Sequence, residues 1–419
     1  MKRRIKPFTL FLCMLIGIYL LIGTKIFLFD YNKDKHRYNN DLESAPLWTG
    51  IITLWDVSYV ETGTGSNANW LNPWIDKFER QNPGVFIDVR KLNPQRAEMY
   101  FSGSIDKDIL PDIITIPPHQ VFNSSTLYED LSIYFNQEEL ERIVPLAQKS
   151  ILGEDYIRGV PIMMGTYALF FNKDLLREQE ISIEDTEINY AALDNIMNRF
   201  PYTKGERGKE INYYGFGSYN TRYSKPILSM IYNNKGKIQD DLGYKYIHSW
   251  LGKEKLVPED IANSDKDTAM KLFLEEQRVG MFLGNTRTLY RARALQSQGK
   301  GFELGISILP LEGKEGLFQD QIISYGLIKK DDKEKTEMAI AFLKSLLNDE
   351  AQIDLKRIGM FPIVKDIDGI YENDPEMQIL EERLENFKFY PNDSYWQDNI
   401  DEIMKIFSVE SNDESGMLE

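Results

Sequence analysis

Apolar positions along the first part of the chain follow the order strand, helix, strand. Residues 51–56 (IITLWD) form a short apolar run typical of a buried strand, and in 85–91 every second residue is apolar, which is the period of another strand. Between them, residues 69–81 carry apolar side chains at helical spacing. A helix at 94–105 and a third strand at 111–116 continue the alternation. This order predicts a parallel doubly wound sheet.

The remainder of the chain is richer in helical patterns. Residues 158–178 join a proline-containing extended segment, an apolar strand at 166–171 and a helix that Asn172 caps, which predicts a crossover between two lobes. Further helices are predicted at 190–200, 222–233, 242–251, 265–277 and 333–348, and further strands at 279–283, 302–309 and 322–328.

Size and composition exclude several classes of protein. A chain of 419 residues exceeds what one hydrophobic core normally supports, so two lobes are expected. Its 49 Lys and Arg against 65 Asp and Glu give a net charge of −16, which repels phosphate backbones and argues against a nucleic-acid partner. One cysteine and three histidines provide no spacing typical of a zinc or iron–sulfur site, so no cofactor is predicted.

The first 29 residues have the pattern of an export segment. Four basic residues precede an uncharged apolar run that starts at Phe8, and its length is close to the roughly 20 residues that span a bilayer. Small residues do not precede Cys13, as a lipoprotein signal requires. We therefore expect residues 8–29 to anchor the chain in the cytoplasmic membrane, with a cleaved signal peptide at 1–29 as the alternative. Residues 30–48 are polar and predict a tether, and the lobes beyond it would lie on the outer face of that membrane or be secreted.

Seven phrases in order resemble the family 1 extracellular solute-binding proteins, the maltose-binding-protein-like, carbohydrate-binding subunits of bacterial ABC importers. They are ITLWD, PDIITI, GVPIMMGTYALFFNKDLL, EEQRVGMFLGN, SYGLIKK, AIAFLKSLLNDEAQ and GMFPIVKD. The similarity extends roughly over residues 51–407.

This resemblance implies an α/β fold of the type II periplasmic-binding-protein class, with two doubly wound lobes, a hinge and a ligand cleft between the lobes. Lobe one would comprise 51–165 plus 324–356, lobe two 166–323 plus 357–407, and 408–419 would be a polar tail. The implied function is capture of a sugar or oligosaccharide by lobe closure, without catalysis, and delivery to ABC permease subunits by a monomer.

Sugars present apolar C–H faces and rims of hydroxyls, so their sites combine aromatic platforms with polar side chains. The position of Trp55 fits ligand binding and core packing equally well. Arg287 fits either a contact with an anionic sugar or an ion pair between the lobes. The chain departs from the family at Gly165, where a polar contact is usual, and at 285–287, where Asn-Thr-Arg replaces a stacking aromatic. By resemblance the ligand-binding residues are Trp55, Ser58, Tyr59, His119, Gln120, Tyr167, Thr286, Arg287, Tyr395 and Trp396.

Two other functions are compatible with the sequence. A membrane-tethered sensory subunit that signals to a receptor kinase would use the same fold and explain an uncleaved anchor. A secreted carbohydrate-active enzyme is disfavoured, because it needs two carboxylates at a defined separation and the sequence does not identify such a pair.

Overall fold

The computed structural model describes the greater part of the chain from Trp48 onwards. Outside the described residues lie the predicted anchor, the tether up to residue 47, the polar tail, and His119, Gln120, Tyr395 and Trp396. Within the described part, no helix is both long and apolar enough to cross a membrane. The described residues are 48–101, 109–117, 127–151, 156–183, 188–221, 223–231, 237–251, 256–258, 265–310, 316–318, 321–367, 369–384, 387–389, 398–399 and 401–403.

Strands and helices alternate along most of these ranges. The strands are β1 (Gly50–Val57), β2 (Val85–Leu92), β3 (Ile113–Ile116), β4 (Val160–Met164), β5 (Tyr167–Asn172), β6 (Tyr202–Lys204), β7 (Ile211–Gly217), β8 (Val279–Asn285), β9 (Leu304–Ser307), β10 (Gly316–Phe318), β11 (Ile322–Leu327) and β12 (Phe387–Phe389). The helices are α1 (Asn67–Gln81), α2 (Pro94–Phe101), α3 (Gln137–Glu141), α4 (Pro145–Ile151), α5 (Lys173–Glu178), α6 (Tyr190–Arg199), α7 (Leu242–Leu251), α8 (Lys266–Leu274), α9 (Thr286–Ser297), α10 (Lys333–Ser345), α11 (Asp349–Ile353) and α12 (Pro375–Glu382).

The strands form two five-stranded sheets and one two-stranded sheet. The first sheet has the order β2-β1-β3-β11-β4; β1 is parallel to β2 and β3, and β11 is antiparallel to β3 and β4. The second has the order β6-β7-β8-β5-β9, in which only β7 and β8 are parallel. Strands β10 and β12 pair in parallel. The α/β fold class predicted from the sequence is therefore confirmed.

Local chemistry explains where several elements begin. Asn172 caps α5 as predicted, since its side chain accepts a hydrogen bond from the Leu175 amide at 3.0 Å. All residues of β4 and β5 are buried, as expected of strands inside a layered α/β fold. On α1, the Trp70 indole is fully buried and donates to the Ala351 carbonyl at 2.8 Å, which fixes this helix against α11.

The chain crosses between the two large sheets at three places that lie together. Gly165 follows β4, Gln321 precedes β11, and Phe361 follows a short 3₁₀ helix. The Gly165 amide donates to the Gln321 carbonyl at 2.7 Å, and Met164 and Phe361 exchange backbone hydrogen bonds of 3.1 and 2.7 Å. A side chain at Gly165 would have its Cβ 3.0 Å from the Gln321 amide oxygen, so the missing side chain permits this close approach.

Most predicted elements are present with bounds shifted by a few residues, but the helix predicted at 222–233 is not an α-helix in its described part. Residues Pro226–Met230 form a 3₁₀ helix, and Ile231 already has an extended backbone. A proline at the start and five consecutive buried side chains favour one tight turn against the core over a longer amphipathic helix.

Candidate functional site

Loops from both large sheets meet at the ends of their strands. From the first sheet comes the segment 58–66, which follows β1. From the second come the segment 218–225 after β7, the start of β5, and the start of α9 after β8. Ligands of α/β proteins bind beyond strand ends of this kind, so the space between these loops is the candidate binding cleft.

An aromatic contact joins the two sides of this cleft. The rings of Tyr59, which follows β1, and Tyr223, from the second side, lie 5.0 Å apart at an angle of 57°. Both tyrosines are buried and belong to an apolar cluster that also contains Trp55 and Leu92. Tyr223 therefore packs into a cluster that the first sheet otherwise supplies.

Trp55 belongs to the same cluster and is about as buried as Tyr59 and Tyr223. It is 5% exposed, and its ring packs 4.7 Å from Tyr100, with the Arg90 guanidinium 5.5 Å from its centroid. Ser58, in contrast, is exposed, and its amide donates to the Leu92 carbonyl at 3.1 Å. Of the two, only Ser58 presents its side chain to solvent at the strand end.

Tyr167 connects the cleft to the crossover. Its hydroxyl accepts a hydrogen bond from Gln321 Nε2 at 2.8 Å and shares another, of 2.9 Å, with the Ser224 hydroxyl. In the sheet it is the direct neighbour of Asn285, the residue that caps α9 through its side chain. Ser224 follows Tyr223, so the aromatic contact and this polar chain share one loop.

Arg287 bonds across the cleft to the loop after β1. Its Nη1 donates to the Thr62 carbonyl at 3.0 Å and to the Gly65 carbonyl at 3.3 Å, and its Nε lies 3.5 Å from Glu61 Oε2. Thr286, just before it, donates its hydroxyl to the Gly359 carbonyl at 3.2 Å. Both residues therefore contact parts of the chain outside the second sheet.

Glu61 also pairs with Lys266, the first residue of α8, whose side chain is 16% exposed. Burial and the positive charge of Arg287 lower the pKa of Lys266 to about 8, although the charge of Asp267 opposes this shift. Burial, followed by the charge of Arg291, likewise lowers the pKa of Arg287. The two cations thus stand close together with one carboxylate of the first side between them.

Beneath the cleft, Asp56 is the acceptor of a small hydrogen-bond network. Asn67 Nδ2 donates to its carboxylate at 2.9 Å, and the Tyr325 hydroxyl lies 3.4 Å away. Burial raises the pKa of Asp56, although these hydrogen bonds work against the shift. The network ties the first residue of α1 to β1 and β11.

A cavity of about 300 Å³ lies between α8 and strands β7 and β8 and is lined in part by Ser218, the first residue of the segment 218–225. Its lining includes Tyr214, Thr268, Arg278 and Phe282 and none of the residues predicted to bind ligand. Among the residues that the structure describes, no group of three His, Cys, Asp or Glu side chains could hold a metal ion.

Of the ten predicted site residues, Ser58, Tyr59, Tyr167, Thr286 and Arg287 lie at the cleft. Their role in binding a ligand stays a prediction. The sequence did not point to the polar and charged residues that contact them. These are Glu61, Tyr223, Ser224 and Gln321, together with Lys266, which pairs with Glu61. The phrase SYNTRYSK at 218–225, dense in tyrosine and hydroxyl side chains directly after a strand, is the signal that could have identified two of them.

Two α/β units with loops meeting at their strand ends define the type II periplasmic-binding-protein class. Solved structures of that class resemble this one. The ABC substrate-binding protein Lmo0181 from Listeria monocytogenes, in complex with cycloalternan, has a TM-score of 0.60 at 14% identity and covers 86% of this chain and 94% of its own. Maltose-bound MalE3 of T. maritima has a TM-score of 0.59 at 16% identity, with coverage of 83% and 91%. The sugar-binding protein MalE of Xanthomonas citri has a TM-score of 0.60 at 16% identity, with coverage of 85% and 91%.

The chain belongs to the bacterial extracellular solute-binding proteins, because the model of that family matches residues 63–353, more than half of its length. Membership confirms the family predicted from the sequence and assigns the protein to an extracytoplasmic class. A search of curated protein sequences finds no match to this chain.

Proposed function

We propose that this protein captures a sugar or oligosaccharide between two lobes and delivers it to an ABC importer, without chemical change to the ligand. Lobe one would be 51–165 plus 324–356, and lobe two 166–323 plus 357–407. The observation that carries the proposal is the group of aromatic and polar side chains where the loops of the two sheets meet: Tyr59 and Tyr223 lie beside the hydrogen-bonded hydroxyls of Tyr167 and Ser224, and sugar sites combine aromatic platforms with polar side chains in this way. The sugars named for the similar structures, cycloalternan and maltose, agree with this ligand class.

Polar side chains beside these rings supply the second requirement of a sugar site. Tyr167, Ser224 and Gln321 carry hydroxyl and amide groups that can exchange hydrogen bonds with sugar hydroxyls. Because both lobes contribute to the cleft, a ligand bound there would stabilise the closed arrangement. The ligand contacts that we propose are Trp55, Ser58, Tyr59, His119, Gln120, Tyr167, Thr286, Arg287, Tyr395 and Trp396, and we add Tyr223 and Ser224 to them because they lie beside Tyr59 and Tyr167.

Calorimetric titration of the full chain against a glycan panel that includes maltose and maltotriose tests the ligand class. We expect Tyr223→Ala to weaken binding of the glycan that binds by about tenfold or more, because a stacking contact is lost. Tyr213→Ala is the matched control: Tyr213 stacks on Tyr202 in the β6–β7 hairpin, and its ring lies 4.5 Å from that partner. Absence of binding to every glycan would sink the proposal, and so would an equal loss in both variants.

Delivery, location and catalysis have separate tests. Addition of the loaded protein to its reconstituted permease should stimulate ATP hydrolysis. Fractionation should find the chain in the cytoplasmic membrane if residues 8–29 anchor it, and light scattering should give the mass of a monomer. Chromatography of the glycan after long incubation should recover it intact. Any cleavage product would instead support the alternative of a carbohydrate-active enzyme.

A further inference from the structure

The loop after β1 makes more polar contacts with the opposite side of the cleft than its position in the first sheet requires. Two of its carbonyls, those of Thr62 and Gly65, accept from Arg287 of the second side. Its Thr64 amide donates to the Ile358 carbonyl at 3.0 Å, and a Cβ at Gly63 would lie 2.8 Å from the Gly359 carbonyl oxygen, so the loop also packs on the 3₁₀ helix that ends at Ile358. The contacts of this loop with the second side are therefore made through Arg287 and the charged residues near it.

One side chain of the loop carries charge into this contact. Glu61 lies between Lys266 and Arg287, and the side chains of the three residues are 36%, 16% and 32% exposed. At this degree of burial, ion pairs are screened less than they are on an open surface. The nearby Arg291 is already matched within its own side of the cleft by Asp267, at 3.3 Å.

The charges of Glu61, Lys266 and Arg287 show what the Glu61 carboxylate contributes to the contact across the cleft. With Glu61 ionised, two positive charges face one negative charge of the opposite side, and the contact is attractive. Without it, Lys266 and Arg287 face each other with no described acidic partner from the first side. Removal of this carboxylate therefore abolishes the attraction between charges across the cleft and leaves the hydrogen bonds of Arg287 to the carbonyls of Thr62 and Gly65.

Resting on the proposed function, we infer that Glu61 is a positioning residue for ligand capture: it bridges Lys266 and Arg287 and thereby sets the fraction of closed protein, and so the affinity, without touching the ligand. A protein whose competent state is only partly populated binds more weakly by that fraction. The arginine that follows the family phrase VGMFLG accordingly also holds the loop that carries Tyr59.

The distance between the two sides without ligand tests this inference independently of the ligand class. Spin labels are placed on the full chain, after Cys13→Ser, at the exposed positions Asp76→Cys on α1 and Gln298→Cys at the end of α9. In the ligand-free protein we expect Glu61→Gln to shift the distance distribution away from that of the unsubstituted protein. In titrations we expect the same variant to bind the preferred glycan about tenfold more weakly.

Two comparisons keep the outcome interpretable. Glu350→Gln removes a carboxylate from the surface pair of Lys77 and Glu350, within the first side, and should change neither readout. In a Lys266→Gln background, removal of Glu61 should cost less affinity than in the unsubstituted protein, because part of the contact is already gone.

The inference is overturned if Glu61→Gln leaves the ligand-free distances unchanged, or if Glu350→Gln shifts them equally. Failure to find a glycan would overturn the proposed function alone, since the distance measurement needs no ligand.

Discussion

Replacement of Asp112 by asparagine should destabilise the first sheet, because one buried carboxylate holds three of its parts together. Asp112 lies just before β3 and accepts from the Thr53 amide and hydroxyl of β1 at 2.7 and 2.9 Å. It also pairs with Lys335 at 2.8 Å and with Lys330 at 3.3 Å. Its side chain is 7% exposed, so water replaces little of what the substitution removes.

The contacts set the size of the effect. Charge-assisted hydrogen bonds to a buried carboxylate are worth about 1.5–3 kcal/mol. The two lysines, each about a quarter exposed, add roughly 0.5 kcal/mol apiece after allowance for screening. Asp112→Asn keeps the shape and some hydrogen bonding, so we expect a loss of about 2–4 kcal/mol in the free energy of unfolding. This is a large part of the stability that domains usually have.

The loss should depend on pH with a defined sign. Burial works to raise the pKa of Asp112, but hydrogen bonds from Lys335 and Thr53 outweigh it and hold the pKa below its usual value. A carboxyl with a lowered pKa in the folded state contributes its full stability above the unfolded pKa, about 3.9. That contribution disappears as the pH falls through the folded pKa. The difference between Asp112→Asn and the unsubstituted protein should therefore be full at pH 7 and shrink below about pH 4.

Urea unfolding, followed by tryptophan fluorescence at several pH values, measures both effects. Glu350→Gln serves as a surface control, since its ion pair with Lys77 is exposed and should not shift the urea midpoint measurably. Equal midpoints for Asp112→Asn and the unsubstituted protein at pH 7 would refute the reasoning. A difference that persists undiminished at pH 3 would show that the charge of the carboxylate is not its source.

Two further substitutions test contacts outside the first sheet. Gly63→Ala places a methyl group 2.8 Å from the Gly359 carbonyl oxygen, and we expect a loss of about 1–3 kcal/mol, measured by thermal unfolding; an unchanged melting temperature would show that the loop moves away freely. Arg293→Met removes the two hydrogen bonds of 2.7 and 2.6 Å to Asp374 at the start of α12 and leaves that carboxylate beside Glu376. We expect about 2 kcal/mol of destabilisation in urea, and a change near zero would contradict it.

The sequence predicted the sheets and helices well where local patterns determine them. Helix α7 has the predicted bounds, because its buried side chains Tyr244, Ile247 and Trp250 recur at helical spacing along one face. The helix predicted at 222–233 failed because its apolar side chains are buried all round, and helical spacing cannot distinguish that from a tight 3₁₀ turn. The hydrophobic pattern could not predict the strand order, because β11 pairs with β3 and β4, which lie more than 150 residues away along the chain.

The site was less predictable than the fold. Tyr59 and Arg287 could be selected because they follow strands, where α/β proteins bind ligands. Their partners could not, since the contacts of Glu61 and Tyr223 depend on how two distant segments are placed against each other. The contact of Trp55 with Tyr100 likewise depends on the fold: the sequence left core packing and ligand binding open for this residue, and its role in binding stays a prediction.

The cleft and the chain crossings are connected through Tyr167. Gln321, at one crossing, donates to the Tyr167 hydroxyl at 2.8 Å and also approaches Gly165 at another. On its other side the same hydroxyl shares a hydrogen bond with Ser224, whose neighbour Tyr223 contacts the first side of the cleft. A ligand that moves Tyr223 would therefore act on a loop that is two hydrogen bonds away from the crossing. Gly165 has no side chain where the family usually has a polar contact, and this leaves room for Gln321, just before β11, to make that connection.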